Sequence, residues 1–202
     1  MKFLISYENE FEKSVSSGQA NLLQSYIKVF SEDGLVKKKE EYKNGKIIHL
    51  IYYINSGETL TNILSDNQHV NSIEIRERQI IGNYTRIDEL EFFEGILRFK
   101  SVSVLDFNGN EIYSSPVDPI TNKHDYEETN KYFYDNNNEK LYAFWYGSNG
   151  QFSNMSSYNP THKEYINEFK QSFRLEDLED LEDFDWANLN YYHNAEPIIP
   201  EN

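Results

Sequence analysis

The sequence predicts an α+β fold: a predominantly antiparallel β-meander sheet with a helical segment near the C-terminal end. Three observations carry this. Turn pairs punctuate residues 26–64 at Asp33-Gly34, Asn44-Gly45 and Ser56-Gly57, with the glycines 11 and 12 residues apart, which leaves room for one strand and one turn each time. Aromatic residues are heavily used, with 16 Tyr and 13 Phe in 202 residues, and such side chains suit pleated, half-buried surfaces. Thr161 stands three residues before Glu164, a capping-box spacing, and Tyr165, Ile166, Phe169 and Phe173 then share one helical face.

In chain order, Phe3, Ile5 and Tyr7 alternate as in a strand, residues 8–15 read as a helix start, and Ser16-Ser17-Gly18 reads as a break. Asp-Gly and Asn-Gly suit two-residue hairpin loops because both loop positions need positive φ. Residues 36–42 are dominated by Lys and Glu, the composition of an edge or solvent-facing strand. Residues 47–54 (IIHLIYYI) are apolar on both faces, as in a covered central strand. Residues 66–71 form a polar break. Residues 72–81, 84–93 and 96–107 read as further strands, separated by Gly82-Asn83 and Glu94-Gly95, with Asn108-Gly109 turning into a return strand at 111–114.

Residues 115–130 are the longest irregular stretch and contain Pro116 and Pro119, which remove donors that a strand would use. A very aromatic hairpin follows, with Tyr132, Phe133, Tyr134, Tyr142, Phe144, Trp145 and Tyr146. One face of it is expected in the core. Leu175, Leu178, Leu181 and Phe184 recur every third residue between acidic pairs. The expected organisation is an antiparallel β domain over residues 1–158, a helical, acidic segment packed on it over 159–188, and an irregular tail over 189–202.

The formal net charge is −15, and residues 175–202 hold nine acidic residues without a Lys or Arg. Nucleic acid is a poor partner for such a chain, because phosphate contacts need Lys and Arg. Anionic membranes are disfavoured for the same reason. There is no cysteine, which removes disulfides and thiolate chemistry. Only Phe3, Leu4 and Ile5 form an apolar run near the start, too short for a secretory signal, so a cytoplasmic location is expected.

His49, His69, His124, His162 and His193 are scattered and show no metal-ligand spacing. No nucleophile elbow, phosphate loop or dinucleotide fingerprint occurs. Residues 106–111 place oxygen ligands at alternating positions but lack the glycine and late Glu of a calcium loop, so they read as a hairpin turn. No catalytic residue, metal or cofactor is therefore expected.

Phe30, Asp33, Gly34, Tyr42, Asn44, Gly45 and Lys46 carry a resemblance to the MORN-repeat variants of bacterial immunity and antitoxin-type proteins. Tyr53, Ser56 and Gly57 make a looser copy. The resemblance covers about 35 residues and departs where Ile47, Ile48 and His49 replace the glycine such repeats place after Asn-Gly-Lys. It implies a non-enzymatic inhibitor whose partner is a basic toxin domain. The expected partner-binding residues are Glu176, Asp177, Glu179, Asp180, Glu182, Asp183 and Asp185, with Tyr142 and Trp145. The competing expectations are a carbohydrate-binding or hydrolytic module using the aromatic hairpin and the 115–130 loop, and a purely structural β protein.

Overall fold

The computed structural model describes residues 3–165, 172–181 and 183–200. It is mostly antiparallel sheet, with short helical segments near the C-terminal end. It divides into two compact units. The first comprises Met1–Arg78 and Asp88–Lys100, the second Gln79–Ile87 and Ser101–Asn202.

Unit 1 begins with β1 (Leu4–Asn9), the two-residue β2 (Ser14–Val15) and a single helical turn, α1 (Ser17–Ala20). Then come β3 (Ser25–Glu32), β4 (Leu35–Lys43) and β5 (Lys46–Ile54). The β3–β4 and β4–β5 hairpins turn as expected. Asp33 and Gly34 have φ of 50° and 83°, and Asn44 and Gly45 have 52° and 74°, the doubly positive pattern of type I′ turns.

The meander then stops. Ser56-Gly57 does not make a third hairpin; it leads into α2 (Leu60–Asp66), and β6 (Ser72–Ile81) returns parallel to β5, pairing His49 with Ser72 and Ile54 with Glu77. Parallel neighbours need a crossover, and α2 supplies it. Thr59 caps the helix, its Oγ1 accepting from Asn62 N at 3.3 Å. Ile63 is buried against Leu50, Val70, Ile73, Ile75 and Phe92, with Leu60 and Leu64 beside it.

The Lys/Glu-rich β4 is not an edge strand. It lies between β3 and β5, and the sheet tolerates the charges at Lys37, Lys38, Lys39 and Glu40 because each of these has a partner. Lys37 is buried, donates to Tyr53 O at 2.8 Å and pairs with Glu58. Glu40 is buried between Lys38 Nζ (2.6 Å) and Tyr42 OH (2.9 Å). The outer position falls to β1, which β2 covers only at Tyr7 and Glu8.

β7 (Tyr84–Phe93) and β8 (Ile96–Leu105) contribute to both units. In unit 2 the chain continues through β9 (Glu111–Pro116), β10 (Asn130–Tyr134), β11 (Lys140–Tyr146) and β12 (Phe152–Ser157), each antiparallel to the one before. The β8–β9 and β10–β11 turns share one device. Asp106 Oδ1 accepts from Asn108 N (2.9 Å) and Asn110 N (2.8 Å), and Asp135 Oδ1 accepts from Asn137 N and Glu139 N, both 2.8 Å. Asp106 is thus consumed by turn formation, as aspartates commonly are.

The inner face of this sheet presents Tyr142, Phe144, Tyr146 and Met155, and the C-terminal segment closes it with Phe173, Leu178, Leu181 and Ala195. That segment is helical in short 3₁₀ pieces where it is described, and residues 166–171 and 182 lie outside the described residues. Its described parts are 3₁₀ turns at Pro160–Tyr165 and Leu175–Asp180, separated by an extended Phe173 that bridges Met155. Asn159, rather than Thr161, caps the first turn, its Oδ1 accepting from Thr161 N at 3.1 Å. The apolar spacing explains the second: a residue every three positions matches three residues per turn, the 3₁₀ period. The side chains of Tyr165, Ile166 and Phe169 lie outside the described residues.

Candidate functional site

Charge separates the two units. Unit 1 holds 15 acidic and 12 basic side chains, a net of −3; unit 2 holds 19 and 7, a net of −12. One of the seven does nothing to offset the acids at the surface. Lys131 is fully buried, and its Nζ donates to Tyr191 O (2.6 Å), Asn194 O (2.9 Å) and Pro197 O (2.8 Å) while lying 3.7 Å from the Tyr191 ring centre. Burial pushes its pKa down to about 7, with Glu196 opposing. Three carbonyls for three ammonium protons leave no donor idle, so Lys131 fastens residues 191–197 to the sheet.

The acidic segment is mounted on the same inner face. Leu178 and Leu181 are 1% and 5% exposed, and Phe184 packs edge-on against Tyr142 at 5.0 Å between ring centres. Glu176, Asp183 and Asp185 are exposed. Asp177 is half-buried, and its Oδ2 accepts from Arg174 N at 2.8 Å, which ties it to the start of its own turn. Asp185 accepts from Asn188 Nδ2 at 2.6 Å. The side chains of Glu179, Asp180 and Glu182 lie outside the described residues.

Tyr142 is withdrawn from the surface. It is 5% exposed, stacked on His162, and its hydroxyl accepts from Asn159 Nδ2 at 3.0 Å. Trp145 alternates to the opposite face of β11 and is half-buried there. The 115–130 stretch is tied to its neighbours. Asp118 Oδ1 accepts from Ile120 N, Thr121 N and Thr121 Oγ1, and the buried Thr129 donates to Ser115 Oγ at 2.7 Å. Asp125, Glu127 and Glu128 are exposed along it.

Sequence reasoning missed a polar network in unit 1. The parallel pairing sets His49 opposite Ser72, and its Nδ1 lies 2.8 Å from Ser72 Oγ, with Nε2 3.6 Å from Glu74. Arg76 pairs with Glu74 and, at 3.2 Å, with Glu89, and donates to Tyr53 OH. Burial and the Glu74 charge raise Glu89 to about 6. Burial alone would raise Glu74 too, but His49 and Arg76 outweigh it and hold it below its usual range. Glu74 in turn raises His49. A hydroxyl, an imidazole and a carboxylate stand in series, yet the cation beside them is committed to two carboxylates, so the arrangement is a balanced fastening of β5 to β6 and β7. A signal for it existed only as the alternation of His49, Glu74 and Arg76 along strands whose register was not readable.

A surface cleft of about 630 Å³ in the same unit is lined by Lys46, Ile47, Ile48, His69, Asn71 and Phe93, with Lys46 and His69 as its titratable side chains. Among the described residues no group of three or more His, Asp or Glu gathers as a metal site would require, and no helix is long and apolar enough to cross a membrane. Scans against family models, curated proteins and solved structures each return no match.

Proposed function

We propose that the protein is a non-enzymatic inhibitor of the immunity or antitoxin kind, which binds a basic protein through the acidic surface of unit 2 and masks it. The observation that carries this reading is the mounting of residues 175–185. Leu178 and Leu181 are buried while Glu176, Asp183 and Asp185 are exposed, in a unit of net charge −12. Charges held on a fixed scaffold lose little freedom on binding. A toxin that acts on nucleic acid must be basic to hold it, and an acidic surface both attracts and covers such a site. The resemblance of residues 30–46 to the MORN-variant repeats of antitoxin-type proteins points the same way.

The test is the rate of association with the purified product of the adjacent gene, for the parent and for the triple variant Glu176→Gln, Asp183→Asn, Asp185→Asn. Asparagine suits position 183, where φ is 58°, because it tolerates the left-handed region. It also keeps an acceptor for Asn188 at position 185. The variant should fold as the parent does, associate more slowly at low salt and converge on the parent at high salt, since exposed charges are screened over about 8 Å at physiological ionic strength. Equal association rates in low salt would reduce the segment to a solubilising surface.

A further inference from the structure

We propose that the outer face of the unit 2 sheet is a binding platform for a neutral carbohydrate chain, with Trp145 as the stacking ring and Asn130 and Asn154 as its hydrogen-bonding flanks. The site is independent of the acidic segment, which closes the other face.

The strand register builds it. Trp145 pairs with Asn130 on β10 and with Asn154 on β12; Asn130 pairs with Ser114 on β9, which pairs with Ser103 on β8. Directly paired residues in antiparallel strands share a face, so these five side chains form one row across the sheet. The adjacent row, Val104, Tyr113, Lys131, Phe144 and Met155, is fully buried beneath the C-terminal segment. Alternation therefore places the Trp145 row on the other side, where all five residues are partly exposed. Among the described residues no aromatic ring stacks on Trp145.

The chemistry of the row selects its ligand. Not one of the five side chains is charged, although the unit carries −12. Phosphates and acidic glycans are repelled by that field, and no carboxylate in the row would hold a cation. An indole flanked on both neighbouring strands by carboxamides offers a π-face to an apolar ring surface and paired donors and acceptors to hydroxyls at its rim. Asn130 uses one N–H on Glu128 O (3.1 Å) and Asn154 one on Ser153 Oγ (3.4 Å), which leaves each an oxygen and a second N–H. A sugar ring has that two-sided character: C–H groups on its faces and hydroxyls around its edge. Two inter-strand steps of about 4.8 Å separate Asn130 from Asn154, roughly 10 Å or the reach of a disaccharide. Sheet twist turns the Ser114 and Ser103 end away, so those two serve a longer chain only.

The experiment reads Trp145 fluorescence in a Trp186→Phe background, which leaves one tryptophan, against neutral tetrasaccharides of glucose, mannose, xylose and N-acetylglucosamine. At least one should shift the emission saturably in the millimolar range. Isothermal titration of that sugar should weaken about tenfold or more in Trp145→Ala, as loss of a stacked aromatic implies, and about three- to tenfold in Asn154→Ala, as loss of a hydrogen bond implies. Both variants should keep the parental circular dichroism. The Glu176→Gln change should leave sugar binding unaltered. The proposal is overturned if no sugar alters Trp145, if Asn154→Ala folds and binds like the parent, or if Trp145 emission changes with protein concentration alone, which would mean that a second copy covers the face.

Discussion

The two units solve the same problem, closing one face of a twisted β-sheet, with different materials. Unit 1 uses α2, an aliphatic stripe on a capped helix, and neutralises its strand charges in pairs: Lys37 with Glu58, Lys38 with Glu40, Lys39 with Glu8, and Arg76 with Glu74 and Glu89. Unit 2 uses a chain of 3₁₀ turns over an aromatic floor, fixes it with one buried ammonium, and displays its acids outward. Local pairing keeps unit 1 near neutrality. Unit 2 carries the excess that a charged partner would feel at a distance. The difference teaches that charge content alone does not mark an interaction surface; whether the charges are answered within the fold does.

The comparison can be broken first at the aromatic floor. Phe173 is 1% exposed and its backbone exchanges 2.8 Å hydrogen bonds with Met155 in both directions. Phe173→Ala should cost about 3–5 kcal/mol, read from the urea midpoint, and should spare unit 1 hairpin signals in hydrogen exchange. Loss of protection spread evenly over β3–β5 would contradict the division.

Next comes Lys131→Met, which keeps the volume and strips three carbonyls of their donor. A cost of about 3 kcal/mol is expected from buried acceptors left unpaired. The pH dependence sharpens this. Because the folded pKa is pushed down to about 7 from 10.5, the folded state holds fewer protons than the unfolded chain between those values. Stability therefore rises with pH across that window, and Lys131→Met should abolish the slope. A slope that persists would assign it to other groups.

Gly45→Val probes unit 1 at a turn with φ of 74°. Nothing crowds the position, so the cost is backbone strain alone, about 1 kcal/mol or more. An unchanged denaturation midpoint would be incompatible with the β4–β5 register.

The smallest effect is expected at His49→Asn. Glu74 raises the His49 pKa against burial, and Glu89 is raised to about 6. Both keep protons in the fold that the unfolded chain has released. Their contribution is present in mildly acidic buffer and lost as pH rises through their folded values, while Glu74, held low, works in the opposite sense. Replacing His49 should flatten the fall of the urea midpoint between mildly acidic and mildly alkaline buffer; an unaltered profile would remove His49 from the balance.

What could be read from the residues was what is local. Asp33-Gly34 and Asn44-Gly45 turn because their own φ preferences demand it, and the aromatic hairpin announced a core face. The crossover at α2 is not legible because a seven-residue helix offers one cap and three apolar positions, weaker than the hairpin signal of Ser56-Gly57 before it. The burial of Lys37 and Lys131 is not legible for a common reason: a charge in a strand reads as exposed until its partner, 16 to 66 residues away, is known. The acidic character of residues 175–185 was plain, but which acids face outward depends on a three-residue period that α-helical reasoning smooths over. Tyr142 and Trp145 look alike as aromatics, but their spacing of three places them on opposite faces of a strand.

Lys131 also sets an order of events during synthesis. Its ammonium enters the sheet with β10, yet the carbonyls that receive it are translated at least 60 residues later. Until residues 191–197 emerge, burying that side chain would leave its N–H groups without the three carbonyls, which disfavours closing the sheet over β10. Completion of unit 2 is thereby made contingent on arrival of its strap, and a ribosome stalled before residue 191 would present an unsealed aromatic face to the folding machinery of the cell.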